Sequence, residues 1–315
     1  MRVDVHQHLW TEPLLEALAA RQELPFVRHE RGLTVLYLAG ERPYVIDPHD
    51  GERARRLELL ERDGVERALV CLSSPIGIER LPRMQAVPLI DAYHEGALAL
   101  RDPFGVWGAV ALDRADPDDV DRALELGCVG VSLPAGALAG VEELSRLRGV
   151  LARLEARDAP LFVHPGPGIA ASGLTGSPGC SLSEPLWWPA LTGYVSSLQA
   201  AWLAFRAVGR SEHPALRIVF AMLAGLAPLQ AERLAARGGP PEPELLDADL
   251  FYETSSYGPR ALASMAELVG FQQIVYGSDR PLVEELPQLP GELDWQTIVP
   301  STDRALGLRP MVAMQ

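Results

Sequence analysis

The chain contains no lysine, so each of its 28 basic residues is an arginine. That absence excludes Schiff-base catalysis on a lysine amine, and with it any dinuclear metal site bridged by a carbamylated lysine. Cysteine is scarce: Cys71, Cys128 and Cys180 are an odd number with no CxxC spacing. Neither a disulfide framework nor a zinc-thiolate knuckle is expected, and the three read as small buried apolar residues. No run reaches the roughly 18 apolar residues of a membrane span, and the first residues lack the basic-then-apolar order of a secretory signal. Positive charge is short as well, with 42 acidic residues against 28 basic ones for a formal charge of −14. This argues against nucleic acid or an anionic membrane as partner. The expectation is a cytoplasmic protein whose partner is a small-molecule substrate.

What is present is an ordinary globular composition, 48% apolar and 22% charged over 315 residues. That is long for one domain, yet within the range of a single α/β barrel with insertions. The most informative stretch opens the chain: Val3-Asp4-Val5-His6-Gln7-His8. Side chains two apart on a strand share a face, so Asp4, His6 and His8 point one way and Val3 and Val5 the other. Two imidazoles at a strand end suit a divalent cation. An isolated His-x-His is more readily an accidental pair, so the reading requires ligands further along.

Glu12 to Gln22 reads as a helix, followed by two strands around Glu30-Arg31-Gly32 in a small β insertion at about residues 24–47. Its place after the first strand makes it a candidate flap, with a plain surface excursion equally open. From Asp50 onward, helical and apolar-strand segments alternate. Strands are expected at 67–72, 104–112, 128–133, 161–164, 217–222, 250–254 and 273–277, with helices between them and a Pro-rich link at 238–243. Counting the first, there are eight strands, which predicts an α/β fold of the (β/α)8 TIM barrel type as a single domain over 1–315. An open doubly wound sheet is disfavoured because no GxGxxG turn follows the first strand.

In such a barrel, polar residues at the carboxyl ends of strands carry the chemistry. His164 ends the fifth strand in Phe162-Val163-His164-Pro165, and Asp279 follows the eighth in Gly277-Ser278-Asp279-Arg280-Pro281. With His6 and His8 they make three imidazoles and one carboxylate on one rim, a set suited to a mononuclear Zn2+, with Mn2+ or Fe2+ also compatible. Weaker pocket candidates are Arg280, for a substrate carboxylate or a surface acid, and Trp187 and Trp188, for a wall, loop packing or a subunit contact. Tyr257 is a further candidate, for a hydroxyl toward substrate or a turn. His29, His49, His94 and His213 are assigned no chemistry.

On His6-Gln7-His8, Phe162-Val163-His164-Pro165 and Gly277-Ser278-Asp279-Arg280-Pro281, the chain resembles the amidohydrolase superfamily. The likeness is to the amidohydrolase-related group that includes aminocarboxymuconate semialdehyde decarboxylase. Pro214-Ala215-Leu216-Arg217-Ile218-Val219 and Thr254-Ser255-Ser256 support it. The resemblance implies a barrel, a mononuclear metal on His6, His8, His164 and Asp279, and a homodimer. It also implies a histidine at the end of the sixth strand, where this chain has Met222 in Phe220-Ala221-Met222-Leu223-Ala224-Gly225. A thioether cannot shuttle protons; Met222 is therefore expected to pack a more apolar substrate pocket.

The leading expectation is hydrolysis of an amide, ester or lactone bond in a small carboxylated molecule, with metal-activated water as nucleophile and Asp279 as ligand and general base. The alternative is metal-dependent nonoxidative decarboxylation of an aromatic or unsaturated acid. A third reading, from the loss at Met222, is a catalytically inactive barrel with a binding role.

Overall fold

Alternation in the first segment becomes strand β1 (Val3–His8), buried along its whole length, with Val3 and Val5 in the hydrophobic core. In this computed structural model, residues 1–168, 185, 187–239, 247–284, 286–291 and 293–308 are described. Cys180 and residues 240–243 of the Pro-rich link lie outside them.

The insertion follows as an antiparallel sheet of β2 (Phe26–Glu30), β3 (Leu33–Tyr37) and β4 (Tyr44–Ile46). Arg31 at φ 51 and Gly32 at φ 80 make the turn between the first two, the left-handed pair that matches strand twist in a tight hairpin. Its third strand, only three residues long, carries too short a pattern to read from sequence. The barrel continues with β5 (Arg67–Cys71), β6 (Phe104–Gly108), β7 (Gly130–Pro134), β8 (Leu161–His164), β9 (Ile218–Phe220), β10 (Leu250–Glu253) and β11 (Ile274–Val275). The sheet order is β1-β5-β6-β7-β8-β9-β10-β11, every pair parallel. Closure comes from backbone hydrogen bonds back to β1: Val5 N to Tyr276 O at 2.9 Å, Asp279 N to His6 O at 2.9 Å and His8 N to Arg280 O at 2.7 Å. The same bonds fix where Asp279 stands relative to the histidine pair.

Helices α1 (Glu12–Ala19), α2 (Arg53–Asp63), α3 (Arg83–Leu98), α4 (Pro117–Glu125) and α5 (Val141–Ala156) wrap the first half of the barrel. Asp116 caps α4, its side chain accepting from Asp118 N at 3.0 Å, and α2 ends on Gly64 in the left-handed region at φ 66. The second half carries α6 (Val195–Ala204), α7 (Ala231–Ala235), α8 (Pro259–Val269) and α9 (Trp295–Leu306). Among the described residues no helix is long and apolar enough to cross a membrane. Trp107 fills the barrel floor: its ring stacks on Phe162 at 5.2 Å and its indole N–H donates to Val5 O at 2.9 Å.

His94, on α3, is buried and accepts a hydrogen bond from Ala109 N at 3.0 Å. Burial, with help from Arg122, pulls its pKa from 6.5 down to about 4 against the opposing pull of Asp119. The folded state therefore disfavours the proton that the unfolded chain takes up below 6.5. Stability from this group is complete above 6.5 and is lost as pH falls through about 4, a total of about 3 kcal/mol. Urea unfolding at pH 7 and pH 4 is expected to show a smaller acid-induced loss in His94→Gln than in the parent chain.

Candidate metal centre and cavity

Because β1 alternates, His6 and His8 both face the barrel axis, and β8 delivers His164 opposite them. His8 Nε2 is 3.2 Å from His6 Nε2 and 3.2 Å from His164 Nε2. The three rings stand nearly perpendicular, with centroids 4.9 to 5.0 Å apart. Asp279 brings Oδ1 to 3.1 Å from His8 Nε2 and 3.4 Å from His6 Nε2. The structure thus gathers the four residues expected as ligands.

Proton positions follow from the partners. His6 Nδ1 is 3.0 Å from Glu253 Oε2, His8 Nδ1 is 3.1 Å from Cys71 O, and His164 Nδ1 is 2.7 Å from Pro165 O. Carbonyl oxygens only accept, as does an ionised carboxylate, so each Nδ1 donates and each Nε2 faces inward, its lone pair free for an ion once that ion displaces any proton held there. Asp279 Oδ1 is buried and receives no hydrogen bond. Four of the pairs among these atoms stand 3.1 to 3.4 Å apart, each including His6 or His8, close to the separation of about 3.4 Å for two donors sharing a tetrahedral ion. The donor set fits a divalent metal.

The electrostatics agree. Burial opposes charge on His6, but Asp279 and Glu253 outweigh it and hold its pKa well above 6.5. His8 is likewise disfavoured by burial yet rises to about 9 beside Cys71 and Asp279. His164 falls well below 6.5 through burial and then the charges of His8 and His6. Burial would raise the Asp279 pKa, and His6 and His8 pull it down instead. Positive charge is favoured at this point, and one cation satisfies it.

Several supporting residues were not picked out from sequence. Glu253, at the end of β10, is fully buried; Oε2 accepts from His6 Nδ1, Met222 N at 3.1 Å and Ser255 Oγ at 2.8 Å, and Oε1 accepts from Ser255 N. It ends a barrel strand, the criterion that selected His164, so the signal was available. Asp4 accepts from His6 N, Gln7 Nε2 and both Ser278 N and Oγ, which ties the Asp279 turn to β1. Burial raises its pKa to about 6 against those hydrogen bonds. Arg56, also buried, donates to Gln7 Oε1 at 3.1 Å and to the His8 carbonyl.

Gly277 is required for space. A Cβ there would lie 2.5 Å from Glu253 Cδ, so Gly277→Ala must displace the carboxylate that orients His6. The expected result is about 1–3 kcal/mol of destabilisation and a loss of about 10- to 100-fold in metal affinity, read by urea unfolding and metal titration.

Met222 departs from the expected course of the chain. Directly after β9, residues Met222, Leu223, Ala224, Gly225 and Leu226 turn left-handed at φ 49, 50, 54, 60 and 64. This costs about 1–2 kcal/mol for each residue bearing a Cβ. The turn is held by Met222 N on Glu253, by Ala224 N on Ala221 O at 3.0 Å and by Gln199 Nε2 on Gly225 O at 2.8 Å. A Cβ on Gly225 would sit 2.7 Å from Val195 O. Met222 thereby lines the cavity above the donors, and propensity alone gives no sign of such a turn.

That cavity has a volume of about 280 Å3. His6, His164 and Asp279 form its floor, and the insertion supplies Leu36, Leu38, Glu41, Arg42 and Tyr44, so the sheet is a wall of the site. Trp10, Ile76 and Leu282 add apolar surface. Tyr194 donates to Glu41 across the mouth, and burial raises the Glu41 pKa against that bond. Among the described residues the mouth holds this cavity and is not filled by apolar side chains.

Other expected pocket residues stand elsewhere. Arg280 is buried and its Nε donates to Asp63 Oδ2 at 2.8 Å, outside the cavity lining; it clamps the last barrel loop to α2. Trp187 and Trp188 are exposed and pack on each other at 5.7 Å; the adjacent Pro189 lines the cavity and they do not. Tyr257 is partly buried against the core and does not line the cavity.

A (β/α)8 barrel that gathers three imidazoles and a carboxylate at the carboxyl-terminal mouth defines the class, a barrel whose mouth carries a donor set fit for a divalent ion. The chain belongs to the amidohydrolase family, whose model matches residues 3–305. No curated protein sequence matches it. Among solved structures it is similar to the 5-carboxyvanillate decarboxylase LigW from Sphingomonas paucimobilis, at 15% identity and a TM-score of 0.72 over 98% of this chain and 99% of that one. It is also similar to 2,6-dihydroxybenzoate decarboxylase from Rhizobium, at 18% identity and 0.68 over 98% of each. A dihydroxybenzoic acid decarboxylase from Polaromonas sp. JS666, described with bound manganese and the inhibitor 2-nitroresorcinol, matches at 16% identity and 0.66 over 98% of each. These relatives overturn hydrolysis as the leading expectation. The ligand motif is common to both chemistries, so sequence alone could not separate them.

Proposed function

We propose that the chain is a metal-dependent nonoxidative decarboxylase of a small aromatic or unsaturated acid. The observation that carries this is the cavity, whose apolar walls suit a ring and whose floor is the donor set. His6, His8, His164 and Asp279 would hold the ion, with zinc suited to the imidazole-rich set. When bound, the ion supplies positive charge for the acid's oxygens. Arg42 is the one arginine among the described lining residues, and its guanidinium suits a carboxylate. As the bond between carbon and carboxylate breaks and carbon dioxide leaves, the carbon takes a proton that the Asp279 carboxylate, ionised at rest, has first picked up from solvent and relays. Met222 and the apolar wall exclude water from that carbon.

The test is a panel of hydroxybenzoates, led by 2,6-dihydroxybenzoate, followed by carbon dioxide release from metal-loaded protein. Release from at least one acid is expected. Silence across the acids combined with turnover of lactones or amides would contradict the reading. A homodimer belongs to the same proposal, with the exposed Trp187, Trp188 and Leu191 as the apolar contact. Trp187→Ser with Trp188→Ser is then expected to shift the sedimenting species toward the monomer.

A further inference from the structure

Cys71 ends β5 and is the register partner of His8 across the β1 pairing. It is fully buried and free of any disulfide. It belongs to the apolar core, but packing alone does not account for its polar neighbours. Sγ lies 3.5 Å from His8 Nδ1, the nitrogen of that ring turned toward Cys71, and Sγ with one ring nitrogen from each of His6, His8 and His164 falls within 4.8 Å. Two donors about 2.1 and 2.3 Å from one ion stand at most about 4.4 Å apart. The sulfur therefore stands near this limit, and its side chain must turn toward the Nε2 atoms to share an ion with them. Cys128 has no such company; its neighbours are Gly108 and the foot of α4.

We propose that Cys71 is a sulfur donor of the metal centre, so that three imidazoles, one carboxylate and one thiolate select a thiophilic divalent ion, zinc or cobalt, over manganese. Thiolate binds borderline and soft ions better than hard ones, whereas carboxylate and water suit manganese. Binding forms one sulfur–metal bond and releases the thiol proton to solvent. This rests on reading His6, His8, His164 and Asp279 as ligands.

The experiment is cobalt titration of the full chain after chelator treatment, followed by absorption spectroscopy. Cobalt d–d bands report the nitrogen and oxygen donors, and a near-ultraviolet charge-transfer band reports sulfur. Wild type and Cys128→Ser are expected to show both. Cys71→Ser and Cys71→Ala are expected to keep stoichiometric d–d bands and lose the charge-transfer band, with zinc-over-manganese preference falling about tenfold. X-ray absorption of the zinc-loaded wild type, expected to contain a sulfur shell, gives the same answer without a substitution. Full d–d bands without a charge-transfer band in wild type, or a band that persists in both Cys71 variants, would overturn the sulfur donor and leave the four-ligand site standing. Failure to take up cobalt at all would overturn both.

Discussion

Asp279→Asn is expected to lower turnover by about 10²- to 10⁴-fold, the range for removing a general acid–base group, and to weaken metal binding as well. Asp279 Oδ1 is buried, receives no hydrogen bond, and stands 3.1 and 3.4 Å from the Nε2 atoms of His8 and His6. An amide of the same shape removes the negative charge that these imidazoles face. Its NH2 can also turn toward a lone pair and occupy the site. Steady-state turnover with calorimetric metal titration separates the two losses. Unchanged turnover with full metal would remove Asp279 from the proton-transfer role.

Glu253→Ala is expected to cost about 4 kcal/mol of stability. It strands His6 Nδ1, Met222 N, Ser255 N and Ser255 Oγ in a buried site, and each such orphan costs about 1–3 kcal/mol without full additivity. Two of the consequences are local to function. His6 loses the acceptor that holds its Nε2 toward the ion, so metal affinity is expected to fall about 10- to 100-fold. The left-handed turn at Met222 loses its anchor and is free to relax. Urea unfolding and metal titration check these effects, and a change below about 1 kcal/mol would show that water replaces the carboxylate.

The clustering of the four candidate donors was legible because a barrel makes strand ends meet, and a polar residue there has no packing reason to exist. His6, His8, His164 and Asp279 satisfied that rule, and parallel pairing with closure through Tyr276, Asp279 and Arg280 put them together. Glu253 satisfied it too, but a lone glutamate next to Thr254-Ser255-Ser256 carries no ligand motif. Arg280 misled because adjacency to a ligand in sequence does not set direction; a strand-end turn sends neighbouring side chains opposite ways, and Asp63 receives it. The Met222 turn was illegible for another reason. Its left-handed residues are held by Glu253 and Gln199 and confined at Gly225 by Val195, all distant in sequence. Cys71 read as a small apolar residue because its imidazole neighbours come from β1 and β8.

The most direct measurement is the metal content of protein purified without chelator, alongside His164→Ala. About one equivalent of divalent metal per chain is expected in wild type, falling to background in a folded His164→Ala variant. Wild type with less than about a tenth of an equivalent, or a variant that retains its metal, would contradict a metal centre built on these four residues.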